Sequence, residues 1–228
     1  MIINGENINI YINWFVLIFL LSSCHFDKSE YGFNNKLFEP IKSENSGITF
    51  SNDIKEDHKN FFLKFNYLYD GAGVAVGDIN NDGLPDIYFT GNQVPNKLFL
   101  NLGNFKFKDI TKSANVSGED AGGWSNGVVM VDINNDSLLD IYVSKGGWKD
   151  TKEERKNVLF INQGNLTFEQ QAKDYGLDES GYSIQSSFFD MDNDGDLDVY
   201  ITNRPETFFI TIPEILANKK NPDPNTRD

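Results

Sequence analysis

The nonapeptide DINNDGLPD at residues 78–86 returns as DINNDSLLD at 132–140 and as DMDNDGDLD at 190–198. Positions 1, 3, 5 and 9 always carry a carboxylate or an amide. These are Asp78, Asn80, Asp82 and Asp86, then Asp132, Asn134, Asp136 and Asp140, then Asp190, Asp192, Asp194 and Asp198. The apolar residues at position 2, Ile79, Ile133 and Met191, are expected to turn away. Alternating oxygen side chains in a tight loop converge on one point. The set offers no sulfur and no imidazole, so it suits a hard cation, and the ligand number suits Ca²⁺ better than Mg²⁺. In this reading the position-7 residues Leu84, Leu138 and Asp196 add a backbone carbonyl, and each loop holds one Ca²⁺, up to three in all. Gly83 and Gly195 at position 6 permit a turn with φ > 0. Ser137 breaks that pattern, at a cost of roughly 1–2 kcal/mol for a left-handed residue with a side chain. The second loop is therefore expected to bind more weakly or to be more strained. The third, with five acidic residues, is expected to attract a cation most strongly.

Two other readings share parts of the pattern. An EF-hand has D-x-N-x-D-G but needs a bidentate Glu at position 12 and flanking helices. Position 12 here is Phe89, Val143 and Ile201, among β-branched and aromatic neighbours. A metal-free Asx-rich turn would explain one loop. Three loops of clustered carboxylates with no basic neighbour would repel themselves without a cation.

The 228 residues suffice for one or two domains with a real core. The formal charge of −14 is concentrated: the nonapeptides hold 11 of the 34 acidic residues and no basic one. The remainder has 23 acids against 20 bases and no basic stripe, which disfavours a nucleic-acid partner. One cysteine, Cys24, excludes an intrachain disulfide, and two histidines, His25 and His58, leave little material for a zinc site or a His-based triad.

Trp14 to Leu21 read WFVLIFLL, short for a bilayer span of about 20 residues but suited to the apolar part of a secretory signal. The run ends in Leu21-Ser22-Ser23-Cys24. Small residues before a single Cys resemble the lipobox of bacterial lipoproteins. That resemblance implies lipidation at Cys24 and attachment to the bacterial cell envelope, with the outer membrane facing the exterior as the expected location. The segment before the run, MIINGENI, departs from the signal pattern in having no Lys or Arg. Residues 25–46 are polar and read as a tether. Asp27, Lys28 and Glu30 resemble surface-export signals of some lipoproteins.

From residue 47 the chain reads as strands. Gly47–Phe50 is expected to be one, and the alternating Phe61, Leu63, Phe65, Tyr67 and Tyr69 another. Each acidic loop joins two apolar strands: Gly73–Gly77 to Ile87–Thr90, Gly127–Val131 to Ile141–Ser144, and Ser186–Phe189 to Val199–Thr202. The first two pairs are followed by a strand, Asn/Gly turn and strand, LFLNLGNFKF at 98–107 and LFINQGNLTF at 159–168. One unit is four strands, and the loops start 54 and then 58 residues apart. A four-stranded unit at that period predicts an all-β fold, a β-propeller with one calcium loop per blade. The blade cores are expected near 73–111, 127–172 and 186–202 onward, about two and a half blades within a 47–228 repeat domain.

The phrases G-V-x-x-x-D-x-N-x-D-G-x-x-D-x-Y and L-F-x-N-x-G-x-x-x-F resemble the FG-GAP/VCBS repeats of integrin-alpha-like propellers. More narrowly, GAGVAVGDINNDGLPDIYFTGNQVPNKLFLNLGNFKFKDIT is similar to secreted VCBS-repeat proteins associated with ASPIC/UnbV domains. Because propellers close with 4 to 8 blades, the chain is expected to be the N-terminal part of a longer protein. A short helical insertion is expected at Pro213–Ala217.

Two functions remain open. One is a non-catalytic surface module that binds or scaffolds a glycan or protein. The other is a part of a polysaccharide-active enzyme with its site on the propeller face. Every clustered Asp is already assigned to a cation, which leaves no free acid–base pair in the loops. Trp124 and Trp148, beside Gly123 and Gly147, are either a sugar-stacking platform or blade packing. The position of the loops inside each blade makes them structural staples first.

Overall fold

A computed structural model describes residues 38–58, 61–63, 65–118, 123–147 and 151–205. The chain divides into two units, Met1–Pro40 and Ile41–Asp228. In the first, the described residues 38–40 are exposed and lack regular structure. The apolar N-terminal run, Cys24, Trp148 and the expected helix at Pro213–Ala217 lie outside the described residues.

The second unit is all-β. Strands β1 (Val74–Gly77), β2 (Asp86–Phe89), β3 (Lys97–Asn101) and β4 (Phe107–Asp109) form one antiparallel sheet in chain order. Strands β5 (Trp124–Val131), β6 (Asp140–Gly146), β7 (Val158–Asn162) and β8 (Phe168–Gln170) form a second. Strands β9 (Ser183–Phe189) and β10 (Asp198–Asn203) pair as a hairpin. These are the blades of a partial β-propeller, with the acidic loops at β1–β2, β5–β6 and β9–β10. Three one-turn helices complete the described structure: α1 (Ser43–Ser46), α2 (Thr111–Ala114) and α3 (Lys152–Arg155).

Period-two alternation decides which side chain enters which seam. From β6 and β7, Ile141, Val143, Val158 and Phe160 meet Tyr88 and Leu98 of the first blade. Their alternates Tyr142, Leu159 and Ile161 meet Phe188 and Ile201 of the hairpin. The second blade is therefore covered on both faces, and β6 and β7 are buried throughout. The first blade and the hairpin each have one covered face, and Val74, Val76, Phe105, Met191 and Tyr200 stand exposed.

Each seam is pinned by a tyrosine two residues after the acidic loop. The Tyr88 hydroxyl donates to the Val116 carbonyl at 2.7 Å, and the Tyr142 hydroxyl to the Leu177 carbonyl at 2.9 Å. Burial pushes the Tyr142 phenol up to about 12, so it stays a donor at any physiological pH. Asn157 supports it, donating from Nδ2 to the Tyr142 oxygen at 2.9 Å while accepting from the Lys145 N–H at 2.7 Å.

The glycines of the G-V phrase allow neighbouring inner strands to approach. A Cβ on Gly73 would lie 2.6 Å from the Asn126 carbonyl oxygen, and one on Gly127 2.5 Å from that of Ile184. Gly127→Ala is expected to push β5 from β9 and to cost about 1–3 kcal/mol, as overpacking does. Urea denaturation would measure it, and an unchanged midpoint would refute the crowding argument.

Two expected strands are corrected. Gly47–Phe50 pairs with no strand among the described residues: Gly47 has φ 81° and closes α1, while the Phe50 ring stacks on Phe89 at 5.0 Å. This segment packs by side chains on the open face of the first blade. The described residues of 61–69 form turns, with the Phe65 N–H donating to the Phe61 carbonyl and that of Leu68 to the Phe65 carbonyl. Phe65 and Leu68 bury beside Trp124, whereas Leu63 and Tyr69 are exposed. An i, i+3 pair meeting one tryptophan overrides the period-two pattern.

Candidate metal centre

The three loops repeat one backbone path, and their own side chains set it. At position 1, Asp78 accepts from the N–H groups of Asp82 (3.2 Å) and Gly83 (2.7 Å). Asp132 accepts likewise from Asp136 (3.0 Å) and Ser137 (2.8 Å), and Asp190 from Asp194 (3.2 Å) and Gly195 (3.1 Å). At position 5, Asp82, Asp136 and Asp194 accept from the position-7 N–H groups of Leu84, Leu138 and Asp196 at 2.8, 2.8 and 3.1 Å. Position 6 has positive φ in every loop, 84° at Gly83, 70° at Ser137 and 93° at Gly195. Ser137 therefore adopts the strained conformation expected of it. Position 4 is also left-handed, at Asn81, Asn135 and Asn193 with φ near 60° (58°, 59° and 62°). Asparagine tolerates that region better than other residues with side chains.

Position 9 has a second task. The Asp86 carboxylate is fully buried; Oδ2 accepts from the Ile79 N–H at 3.0 Å and Oδ1 from the Asn101 N–H at 2.7 Å. Asp140 repeats this with Ile133 at 3.1 Å and Asn162 at 2.8 Å. Asp198 accepts from the Met191 N–H at 2.8 Å. In the two complete blades this carboxylate clasps the loop to the third strand. Asn101 and Asn162 complete the clasp: each accepts from the glycine two residues on, Gly103 and Gly164, and donates to the position-8 carbonyl, Pro85 or Leu139.

The electrostatics differ along the loop. Partial burial pushes Asp78 up, but N–H groups of Gly83, Asp82, Asn80 and Asn81 outweigh it and hold its carboxyl below the usual range. Burial pushes Asp86 and Asp140 up, with Asp82 and Asp78, or Asp136 and Asp132, adding repulsion; their two N–H donors do not offset this. In the third loop the Asp196 N–H and side chain hold Asp194 down, and the shared contact drives Asp196 up. Like charges this close do not both ionise freely.

The donor set fits a hard cation. It is all oxygen, and Asp190, Asp192 and Asp194 each offer one oxygen within 4.8 Å of the others. Asp196 and Asp198 are not in that cluster. In the first two loops position 3 is an amide, and Asn80 and Asn134 donate from Nδ2 to Asp82 and Asp136 at 2.9 Å. Asp86 and Asp140 lie close enough to Asp78 and Asp82, and to Asp132 and Asp136, to feel their charge, so the position-9 carboxylates stand beside the same oxygen cluster as Asn80 and Asn134 while holding the clasp.

Trp124 is packing. It is buried and meets Phe65 edge-on at 5.5 Å between centroids, so it presents no face to a sugar. Among the described residues, no helix is long and apolar enough to cross a membrane.

A family profile described as "FG-GAP-like repeat" matches residues 78–143 and 151–201. Cartilage acidic protein 1 of Xenopus tropicalis is 30% identical over 142 residues, 62% of this chain and 21% of that protein. Its mouse counterpart is 32% identical over 133 residues, 58% of this chain and 20% of that protein. A T-cell immunomodulatory protein homolog of Plasmodium yoelii yoelii is 28% identical over 188 residues, 71% of this chain and 25% of that protein. The chain thus spans a fifth to a quarter of the length of these relatives.

Proposed function

Because this chain belongs to the FG-GAP-like repeat family, we propose that it is a calcium-stabilised, non-catalytic binding or scaffolding module, exported and held at the bacterial cell surface by lipid on Cys24. One observation carries the calcium reading: three loops in separate blades take the same path through the same oxygen side chains, where carboxylates crowd with no ion pair to a basic side chain among the described residues. The cation would be held by Asp78, Asn80, Asp82 and Asp86 with the Leu84 carbonyl, by Asp132, Asn134, Asp136 and Asp140 with the Leu138 carbonyl, and by Asp190, Asp192, Asp194 and Asp198 with the Asp196 carbonyl. It would neutralise their repulsion and fix the loop. Asp86, Asp140 and Asp198 fix the same loops from beneath.

The module would present its recognition surface on loops away from these staples, toward a glycan or a protein. A glycan array probed with the chain in Ca²⁺ is expected to show retention without sugar release, and loss of retention in chelator. Release of reducing sugar would overturn the non-catalytic reading. For the anchor, Cys24→Ser is expected to move the protein from the membrane to the soluble fraction and to abolish incorporation of labelled fatty acid. Unchanged fractionation and labelling would refute lipidation at that residue.

A further inference from the structure

We propose that the first two acidic loops bind cations as a coupled pair, joined by Asn81 and Asn162, while the third binds on its own. This rests on the calcium reading above. Asn81 stands at position 4 of the first loop, between the candidate ligands Asn80 and Asp82. Its Nδ2 donates 2.9 Å to the carbonyl of Ser137, at position 6 of the second loop and next to Asp136. The strained residue of the second loop therefore receives the bridge from the first. A second bridge runs the other way. Asn162, in the second blade, donates from Nδ2 to the carbonyl of Ile79 at 2.8 Å and to that of Leu139 at 3.1 Å. Ile79 lies between Asp78 and Asn80, and the Asn162 N–H donates to Asp140 Oδ1 at 2.8 Å, which holds the bridging residue in place.

Side-chain packing closes the gap between the loops. A Cβ on Gly77, the residue before Asp78, would come within 2.7 Å of Leu139 Cδ1. Ligand-bearing backbone in one loop is thus tied to ligand-bearing backbone in the other by two amides and one contact. A cation that orders the first loop fixes the Asn81 amide and the Ile79 carbonyl, and so orders part of the second before its own cation arrives. Ordering already completed for one ligand lowers the cost of the next, and the effect is reciprocal. Toward the third loop the first bridge is not repeated: among the described residues Asn135, the counterpart of Asn81, makes no hydrogen bond to it.

The test uses the full chain and Ca²⁺ alone, followed by NMR through the Gly83 amide for the first loop and the Gly195 amide for the third. Disabling the second loop with Asp136→Ala is expected to weaken Ca²⁺ at the first loop about fivefold, the low end of coupling between sites. Asp136→Asn, which keeps an acceptor for the Leu138 N–H, is expected to act in the same direction and guards against a misfolded loop. In an Asn81→Gly background, where glycine keeps the left-handed backbone and removes the amide, the same substitutions are expected to have much less effect. Asp194→Ala is expected to leave the first loop unchanged. Equal affinity at Gly83 with and without a working second loop would overturn the coupling while leaving the calcium reading intact. No response to Ca²⁺ at either amide would overturn both.

Discussion

Removal of Ca²⁺ by a chelator is expected to lower the melting temperature by about 5–10 °C for a single filled loop, and by more when all three are filled. A ligand at about 100 times its Kd stabilises the folded state by about 2.7 kcal/mol, and about 2–4 °C accompanies each kcal/mol in a domain of this size. The structural cause is the crowding of carboxylates in a confined loop. It is sharpest in the third loop, where Asp194 and Asp196 drive each other's protonation apart. Scanning calorimetry in Ca²⁺, in Mg²⁺ and in chelator would decide it. The small, octahedral Mg²⁺ keeps its own water, so it is expected to restore little. Identical melting in Ca²⁺ and chelator would refute the stapling role.

Asp140→Ala is expected to destabilise the protein by about 3 kcal/mol even in chelator. The substitution removes a fully buried carboxylate and leaves the buried Asn162 N–H and the half-buried Ile133 N–H without their acceptor, at about 1–3 kcal/mol for each unsatisfied group. Asp136→Ala, in an exposed position of the same loop, is expected to cost much less without Ca²⁺. Denaturation of both variants with and without the cation separates the clasp from the ligand. Equal losses in chelator would mean that position 9 has no structural task of its own.

The blades were legible because their signal is repeated. The same nonapeptide between apolar strands, followed by the same Asn/Gly turn, specifies the antiparallel order of both sheets. Ser137 also showed its strain in the sequence, since its counterparts are Gly83 and Gly195. The double use of position 9 was not legible. A carboxylate that binds a cation and one that accepts two buried N–H groups look alike until the third strand is in place. Asn96 and Asn157 were missed for a similar reason: they are buried and hold the Gly91 and Lys145 N–H groups at 2.9 and 2.7 Å. Their signal is the shared N-x-L-F-x-N, whose first Asn recurs at 96 and 157 as its second does at 101 and 162. The 61–69 stretch misled because its aromatics alternate, while the partner that decides their burial, Trp124, is more than fifty residues away in the chain.

The strictly consecutive strand order of each sheet bears on how the chain reaches this state. Within a blade every ladder joins neighbours in sequence, so no strand waits for a distant partner, and loop closure is short at each step. Blades can then condense one after another, each offering a finished face to the next. Among the described blades, stability is approximately a sum of units and their nearest seams. A lesion in the hairpin at β9–β10 would thus be felt in the second blade and hardly in the first, and hydrogen exchange would register the damage as a gradient along the chain.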